Sequence, residues 1–300
     1  MKAFVVNPIL GKEFISRMRS WKSPLVVSLY LGVLGLICLG YYWMNEKQMY
    51  YSGFTPDIGP QIYVILTVFQ LMLVSFVTPA LTAGVINGER ERQTLDLLLC
   101  TRLSAASIVL NKLLASISYI LLLILASLPV FSLVYFFGGV LLSEIAWVFL
   151  IYLVTAVTFG AIGIFCSTIF RRTQVSMVVS YIIVFFFLAG TLALAAFLGT
   201  VNMGNSSQPT VPWIAYMNPL VALFSIFPSY GMHFSISNFI QRISYGMGGG
   251  GIAQSIPTEA LAPWQYNFIL DGSLAVILLL ITIILLDPVG RFARFRRKSK

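Results

Sequence analysis

Charge is the scarcest property of this 300-residue chain. Asp, Glu, Lys and Arg together make up 10% of it, while apolar residues reach 58%. An ordinary soluble domain carries roughly 25% charged residues, and a water-facing surface cannot be covered with so few. Two soluble domains, the reading length alone would favour, are therefore excluded. Histidine is almost missing as well. His233 stands alone, so no His-based metal cluster and no Ser–His pair with a close partner can be built. The three cysteines, Cys38, Cys100 and Cys166, are odd in number and far apart, without a C-x-x-C pair. Neither a disulfide framework nor a zinc site is supported. No G-x-x-x-x-G-K-[ST] phosphate loop occurs, and the four glycines at 248–251 lack its lysine. The chain is thus expected to hold no cofactor and no metal, and not to be an enzyme. A signal peptide is also excluded, because charged residues run to Lys22 before the first apolar stretch and no A-x-A cleavage site follows it.

What the chain has instead is long apolar runs. A bilayer core of roughly 30 Å takes about 20 apolar helical residues. Six such runs occur, at about 25–43, 62–86, 113–137, 145–169, 174–199 and 268–287. They predict an all-α polytopic membrane protein forming a single transmembrane domain over 1–300. The net charge of +9 sits at the termini and in the gaps between runs rather than in a basic stripe interleaved with aromatics. That is membrane-surface placement and argues against nucleic acid. With a cytoplasmic N-terminus, seventeen of the nineteen Lys and Arg residues fall on the inner side, leaving only Lys47 and Arg242 outside. Both termini are then cytoplasmic, and 288–300 is a basic cytoplasmic tail. The run 211–227 competes for a seventh crossing. It carries Pro212 and Pro219 and is followed by Pro228, and a seventh crossing would expel the six-charge tail. It reads as a re-entrant or interfacial pair of short helices within an outer segment at 200–267.

Two segments between the runs are patterned for more than connection. In 7–23, Asn7 can cap a helix with Pro8 at its first position. Leu10, Phe14, Met18 and Trp21 then share one face, opposite Lys12, Glu13, Arg17 and Arg19. This is an amphipathic helix in the inner interface, either a simple anchor or a mechanical elbow that moves with a partner. The gap after the second run is charged with alternating sign and then apolar. Glu89 and Gln93, like Arg92 and Asp96, are four residues apart and can support a helix. Leu95, Leu97, Leu98 and Leu99 are more than a solvated loop needs. Either a partner protein docks there or the stretch is a plain connecting helix, with Thr101 to Ser104 able to cap the next one. No ionisable residue falls in the middle of a run. Glu144, Asp271 and Asp287 lie at predicted run ends, where snorkelling is cheap. Energy for any work is therefore expected to enter through another subunit. Gly32, Gly35 and Gly40 in the first run, and Ala156, Gly160 and Gly163 in the fourth, allow close helix approach, within one chain or across a dimer seam.

The stretch Gly88-Glu-Arg-Glu-Arg-Gln-Thr-Leu-Asp-Leu-Leu-Leu-Cys-Thr-Arg-Leu-Ser104, followed by Ile108 and Lys112, resembles the E-R-E-x-x-T-L-E-L-L-L-x-T-P-L-S signature of ABC-2 type permeases. The opening Asn7-Pro8, the basic residues after it and Trp21 are similar to that family's start, and Asn218-Pro219-Leu220 is similar to its stretch after the fifth span. Arg102 departs from the pattern, which has proline there. The resemblance implies a six-helix ABC-2 exporter-like (type V) subunit of a bacterial cell membrane, with an elbow helix, a cytoplasmic coupling helix and re-entrant outer helices. It implies a pathway made with a second permease protomer, identical or paralogous, and driven by separate ATPase subunits that bind ATP and Mg. Carried onto 88–104, it makes Glu89, Arg90, Glu91 and Thr94 polar contacts of the ATPase and Leu95, Leu97 and Leu98 the packing face, with Phe14, Met18 and Trp21 as interfacial anchor.

The expected function is therefore a permease subunit exporting an amphiphilic substrate such as a peptide, drug or lipid. The alternative is a membrane scaffold or sensor that anchors an ATPase without transporting. Phe185 to Phe187 and Tyr181 suit an amphiphilic cargo, and equally a lipid-facing surface.

Overall fold

The computed structural model describes residues 22–52, 58–95, 104–136, 140–202, 213–227 and 262–286. Every element among them is helical. In chain order these are α1 (Lys22–Ser52), α2 (Ile58–Thr82), α3 (Asn87–Glu91), α4 (Ala105–Ala126), α5 (Leu128–Phe136) and α6 (Leu142–Ile169). Then come α7 (Thr173–Phe185), a π-helical turn (Phe186–Gly190), α8 (Thr191–Asn202), a 3-10 turn (Trp213–Met217), α9 (Pro219–Phe224) and α10 (Pro263–Leu286). Six stretches are long and apolar enough to cross a membrane: Pro24–Met44, Gly59–Glu91, Ala105–Phe136, Leu142–Ile169, Thr173–Ala195 and Pro263–Leu286. They correspond one to one with the six apolar runs. The predicted elbow at 7–23 lies outside the described residues, apart from Lys22 and Ser23 at the start of α1.

Local chemistry sets the helix ends. Ser104 caps α4, its hydroxyl accepting from Ser107 N at 3.2 Å, as its place before the third run predicts. Asn218 caps α9, accepting from Leu220 N at 2.8 Å with Pro219 in the first turn. The third span breaks after Ala126, where Pro129 has no N–H to give. There Ser127 Oγ donates to Ile124 O at 2.7 Å and accepts from Gln70 Nε2 of α2 at 3.2 Å. Several hydroxyls inside the spans bond back one turn, as Thr78 does to Val74 O and Thr82 to Thr78 O, which satisfies these donors in apolar surroundings.

α6 is the centre of the assembly. It packs against α10, α2, α7 and α4, and it is the most buried of the spans, α1 the least. Without a water-driven force between helices in lipid, close packing has to supply the cohesion. The small residues of α6 make that possible. A Cβ on Gly163 would stand 1.9 Å from Thr82 Oγ1, and one on Gly160 would stand 3.1 Å from Leu113 Cδ1. The Ala156–Gly160–Gly163 stripe is therefore spent on packing within the chain. Gly32, Gly35 and Gly40 of α1 have nothing within 4 Å of the corresponding positions.

The segment read as a pair of short helices is one: the 3-10 turn and α9, neither long enough to cross a bilayer. Asn218 between them reaches the π-turn of the fifth span. Its Nδ2 lies 3.0 Å from Phe187 O, 2.8 Å from Leu188 O and 2.8 Å from Thr191 Oγ1. The wide turn frees carbonyls, and this amide satisfies them.

One expectation about charge is corrected. α10 starts at Pro263, where Gln265 Oε1 accepts from Ala262 N at 2.9 Å, so Asp271 is eight residues inside a helix rather than at its end. It has no exposed surface and does not snorkel. Glu144 does sit in the first turn of α6, where it accepts from Leu141 N at 3.3 Å. Asp287 lies outside the described residues.

Candidate functional site

Pro79 lies within α2, which ends at Thr82, and the chain turns through residues 83–86 before starting again as α3. α2 alone is 25 residues long, about 38 Å at 1.5 Å per residue, already longer than a hydrocarbon core of roughly 30 Å. The charged helix α3, beyond the turn, follows the apolar part of the stretch Gly59–Glu91. A new helix has unsatisfied N–H groups, and α3 has no side-chain cap of its own. Ser167 of α6 fills that role, its fully buried oxygen accepting from Ile86 N and Asn87 N at 3.0 Å each. The far end of α3 closes in a Schellman turn. Thr94 N donates to Glu89 O at 2.9 Å and Gln93 N to Arg90 O at 3.1 Å, with Gln93 at φ 58°.

This five-residue helix carries Glu89, Arg90 and Glu91, and each finds a different span. Glu89 Oε1 pairs with Lys112 Nζ of α4 at 3.0 Å, and the lysine side chain is 7% exposed. The Thr94 hydroxyl donates to the other carboxylate oxygen of Glu89. Arg90 directs both terminal nitrogens at the end of α6, 3.5 Å from Thr168 O and Phe170 O. A cation there complements the negative end of the helix dipole. Glu91 Oε1 accepts from Thr173 N at 2.8 Å, at the start of α7, where a carboxylate meets the positive end. Ser176 of α7 adds a 2.8 Å bond to Ala83 O. Three consecutive side chains thus fasten the turn to the third, fourth and fifth spans. Burial pushes the Glu89 carboxyl up, but the Thr94 hydroxyl and the Lys112 ammonium outweigh it and hold the group below its ordinary value. The Thr173 backbone N–H likewise holds the exposed Glu91 carboxyl down.

Glu89, Arg90, Glu91 and Thr94, expected as contacts to a partner, are therefore brought together and engaged within the chain. The Glu89–Gln93 helical pair does not form, because the positive φ at Gln93 ends the helix before the side chains align. Leu95 is 8% exposed and packs among Ile86, Ile108, Val109, Leu113, Ile164 and Leu286. Leu97, Leu98, Phe14, Met18 and Trp21 lie outside the described residues. Lys112 is marked in the sequence only as an inner-side charge and as a residue that follows the signature stretch, without a partner, and Ser167 and Thr173 are not marked at all. Lys112 was the one legible signal, a lone cation in an apolar helix, which demands a partner.

The family model described as "ABC-2 family transporter protein" matches residues 7–299. No curated protein matches the chain.

Proposed function

Because the chain belongs to the ABC-2 family of transporter proteins, it is a multi-pass membrane component of an ABC transporter, and we propose that it is the permease subunit that lines the pathway. Two protomers, identical or paralogous, form that pathway between them, and separate ATPase subunits, which bind ATP and Mg, drive it. Both termini lie in the cytoplasm of a bacterial cell, on the strength of the Lys and Arg distribution. The helix at 7–23 rests in the inner interface through Phe14, Met18 and Trp21. The 3-10 turn and α9 are the re-entrant pair at the outer face. The cargo is an amphiphile such as a peptide, drug or lipid, moved outward.

The observation that carries this reading is the charged turn held to three spans at once. The ATPase seats against the stretch that follows it, where Leu97 and Leu98 supply the apolar contact. Glu89, Arg90 and Glu91 then transmit rather than seat. When ATP closes the partner dimer and shifts the docking stretch, their bonds to Lys112, to the end of α6 and to Thr173 carry the shift into the third, fourth and fifth spans. A loose loop at this point would absorb the motion. Lys112 and Glu89 form a partly buried ion pair, and separating them leaves a charge uncompensated, which keeps turn and span moving together.

The test is purification of the chain with the proteins encoded beside it, followed by an ATPase assay. A Walker-motif ATPase should co-purify and be lost with Leu97→Arg. With Glu91→Ala, which removes the acceptor for Thr173 N, the ATPase should remain bound while hydrolysis no longer responds to the permease. A chain that purifies alone, or an ATPase that ignores Leu97→Arg, overturns the docking assignment. An ATPase that docks while purified complexes move no cargo across vesicles identifies a scaffold instead.

A further inference from the structure

Asp271 of α10 is a carboxyl in the most hydrophobic of the six spans, and it has no exposed surface. Its neighbour one turn earlier, Asn267, is equally buried. Asn267 Nδ2 donates twice, to Tyr216 O of the 3-10 turn at 3.1 Å and to Asp271 Oδ2 at 3.3 Å. The two remaining oxygens of this pair, Asn267 Oδ1 and Asp271 Oδ1, have no hydrogen-bond partner. Both are acceptors when the carboxyl is ionised, so neither can satisfy the other.

Among the described residues, no ionised group is placed to balance a carboxylate here. α10 packs against α6, α9, the 3-10 turn and α4. From α6, Thr158 meets the Asp271 backbone carbonyl at 3.2 Å, and the one charged residue of that helix, Glu144, lies fourteen positions before it. α9 and the 3-10 turn carry no charged residue, offering Tyr216, whose ring stacks on Tyr266 of α10 at 5.2 Å. From α4, Lys112 is paired with Glu89 at the other end of α10, where Leu286 packs with Ile108 and Leu113. A bare carboxylate in such surroundings is among the costliest groups a membrane protein can hold.

One proton resolves both difficulties. A neutral acid has an O–H to give, and an acid facing an amide closes a ring of two hydrogen bonds: N–H to the acid carbonyl, and O–H to the amide carbonyl. Half of that ring is present, and the two orphaned oxygens are its missing half. We propose that Asp271 and Asn267 form a proton-binding site, in which a proton adds to Asp271 Oδ1 and is shared with Asn267 Oδ1. The only bond formed is O–H, and the carboxylate loses its charge. Because the second N–H of Asn267 holds Tyr216 O, the filled site fastens the 3-10 turn and α9 to the sixth span. Loss of the proton leaves an unpaired charge that only hydration can settle, so the short helices separate from α10. The site therefore ties the closure of this end of the molecule to its proton occupancy, whichever ATPase drives the other end.

Infrared spectroscopy of the complete complex in lipid tests this at neutral pH. The difference between wild type and Asp271→Asn should show the carbonyl stretch of a protonated, hydrogen-bonded carboxyl in the wild type, displaced in D2O. Asp271→Asn should melt within a few degrees of wild type, since an amide mimics the neutral acid. In Asn267→Ala the band should move to higher frequency as its hydrogen bond is lost. This comparison decides the matter even where Asp271→Asn does not fold. A carboxylate band in place of the acid band, or an acid band unmoved by Asn267→Ala, overturns the proposal.

Discussion

Gly163→Ala is the sharpest perturbation of the packing that supports the charged turn. The added methyl would lie 1.9 Å from Thr82 Oγ1, 2.8 Å from Thr82 Cβ and 3.3 Å from Ala83 N. Two of these atoms belong to a side chain, but Cβ is fixed to the backbone, so rotating the hydroxyl away leaves the closer carbon contact unrelieved. The second and fourth spans must move apart. Overpacking a tight core costs about 1–3 kcal/mol, and a clash with a fixed carbon belongs at the upper end, about 3 kcal/mol. The melting temperature should fall by on the order of 5–10 °C, read by fluorescence in lipid nanodiscs. One turn further along the same face, Ser167 holds Ile86 N and Asn87 N, so the separation also strains the anchor of α3, and permease-dependent ATP hydrolysis should fall with it. Thr82→Gly removes both side-chain obstacles. It costs about 1 kcal/mol as a helix glycine, yet with a coupling of about 2 kcal/mol the double variant should still be more stable than Gly163→Ala alone, by about 1 kcal/mol. If Gly163→Ala melts with the wild type, or Thr82→Gly fails to rescue it, the close approach of these spans is wrong.

Three further outcomes follow from the site. Gln93 occupies a left-handed conformation at φ 58° that glycine adopts without steric cost, so Gln93→Gly should raise stability by about 1 kcal/mol, while Gln93→Val should lower it; thermal melts distinguish the two. Asn218→Ala strips a donor from Phe187 O, Leu188 O and Thr191 Oγ1 and an acceptor from Leu220 N, and should cost about 2–3 kcal/mol, with faster amide exchange in 191–195 as its local signature. The Glu89 carboxyl is held below its ordinary value, so its contribution is fully present above the unfolded glutamate pKa of about 4.3 and is lost as pH falls through the lower folded value. The gap in melting temperature between wild type and Glu89→Gln should therefore be constant near neutrality and close only in acid; a gap that closes on raising the pH refutes the pairing with Lys112.

Much of this molecule is written along the chain. The six spans follow from unbroken apolar runs, since hydrocarbon accepts a helix only when its side chains are apolar. Ser104 announces the helix it caps, because capping is settled within three residues. The short pair at 213–224 follows from prolines in an otherwise apolar run. The segment at 88–104 is legible as special through its charge pattern and its resemblance to the ABC-2 signature.

What tertiary structure decides is the direction in which those charges work. Glu89, Arg90 and Glu91 are adjacent in sequence, and nothing local tells that they reach Lys112, the carbonyls of Thr168 and Phe170, and Thr173 N. Their partners are up to 82 residues away, and three of the four are backbone groups at span ends, which most residue types could supply. Asp271 teaches the same lesson at the other end. A carboxyl near the edge of an apolar run reads as free to reach water, and only the upstream start of α10 and the packing of α6 and the 3-10 turn around it take that water away. Hydropathy sums over the chain in one dimension and so finds the spans; burial and pairing depend on which spans become neighbours, and that is a property of the packed bundle.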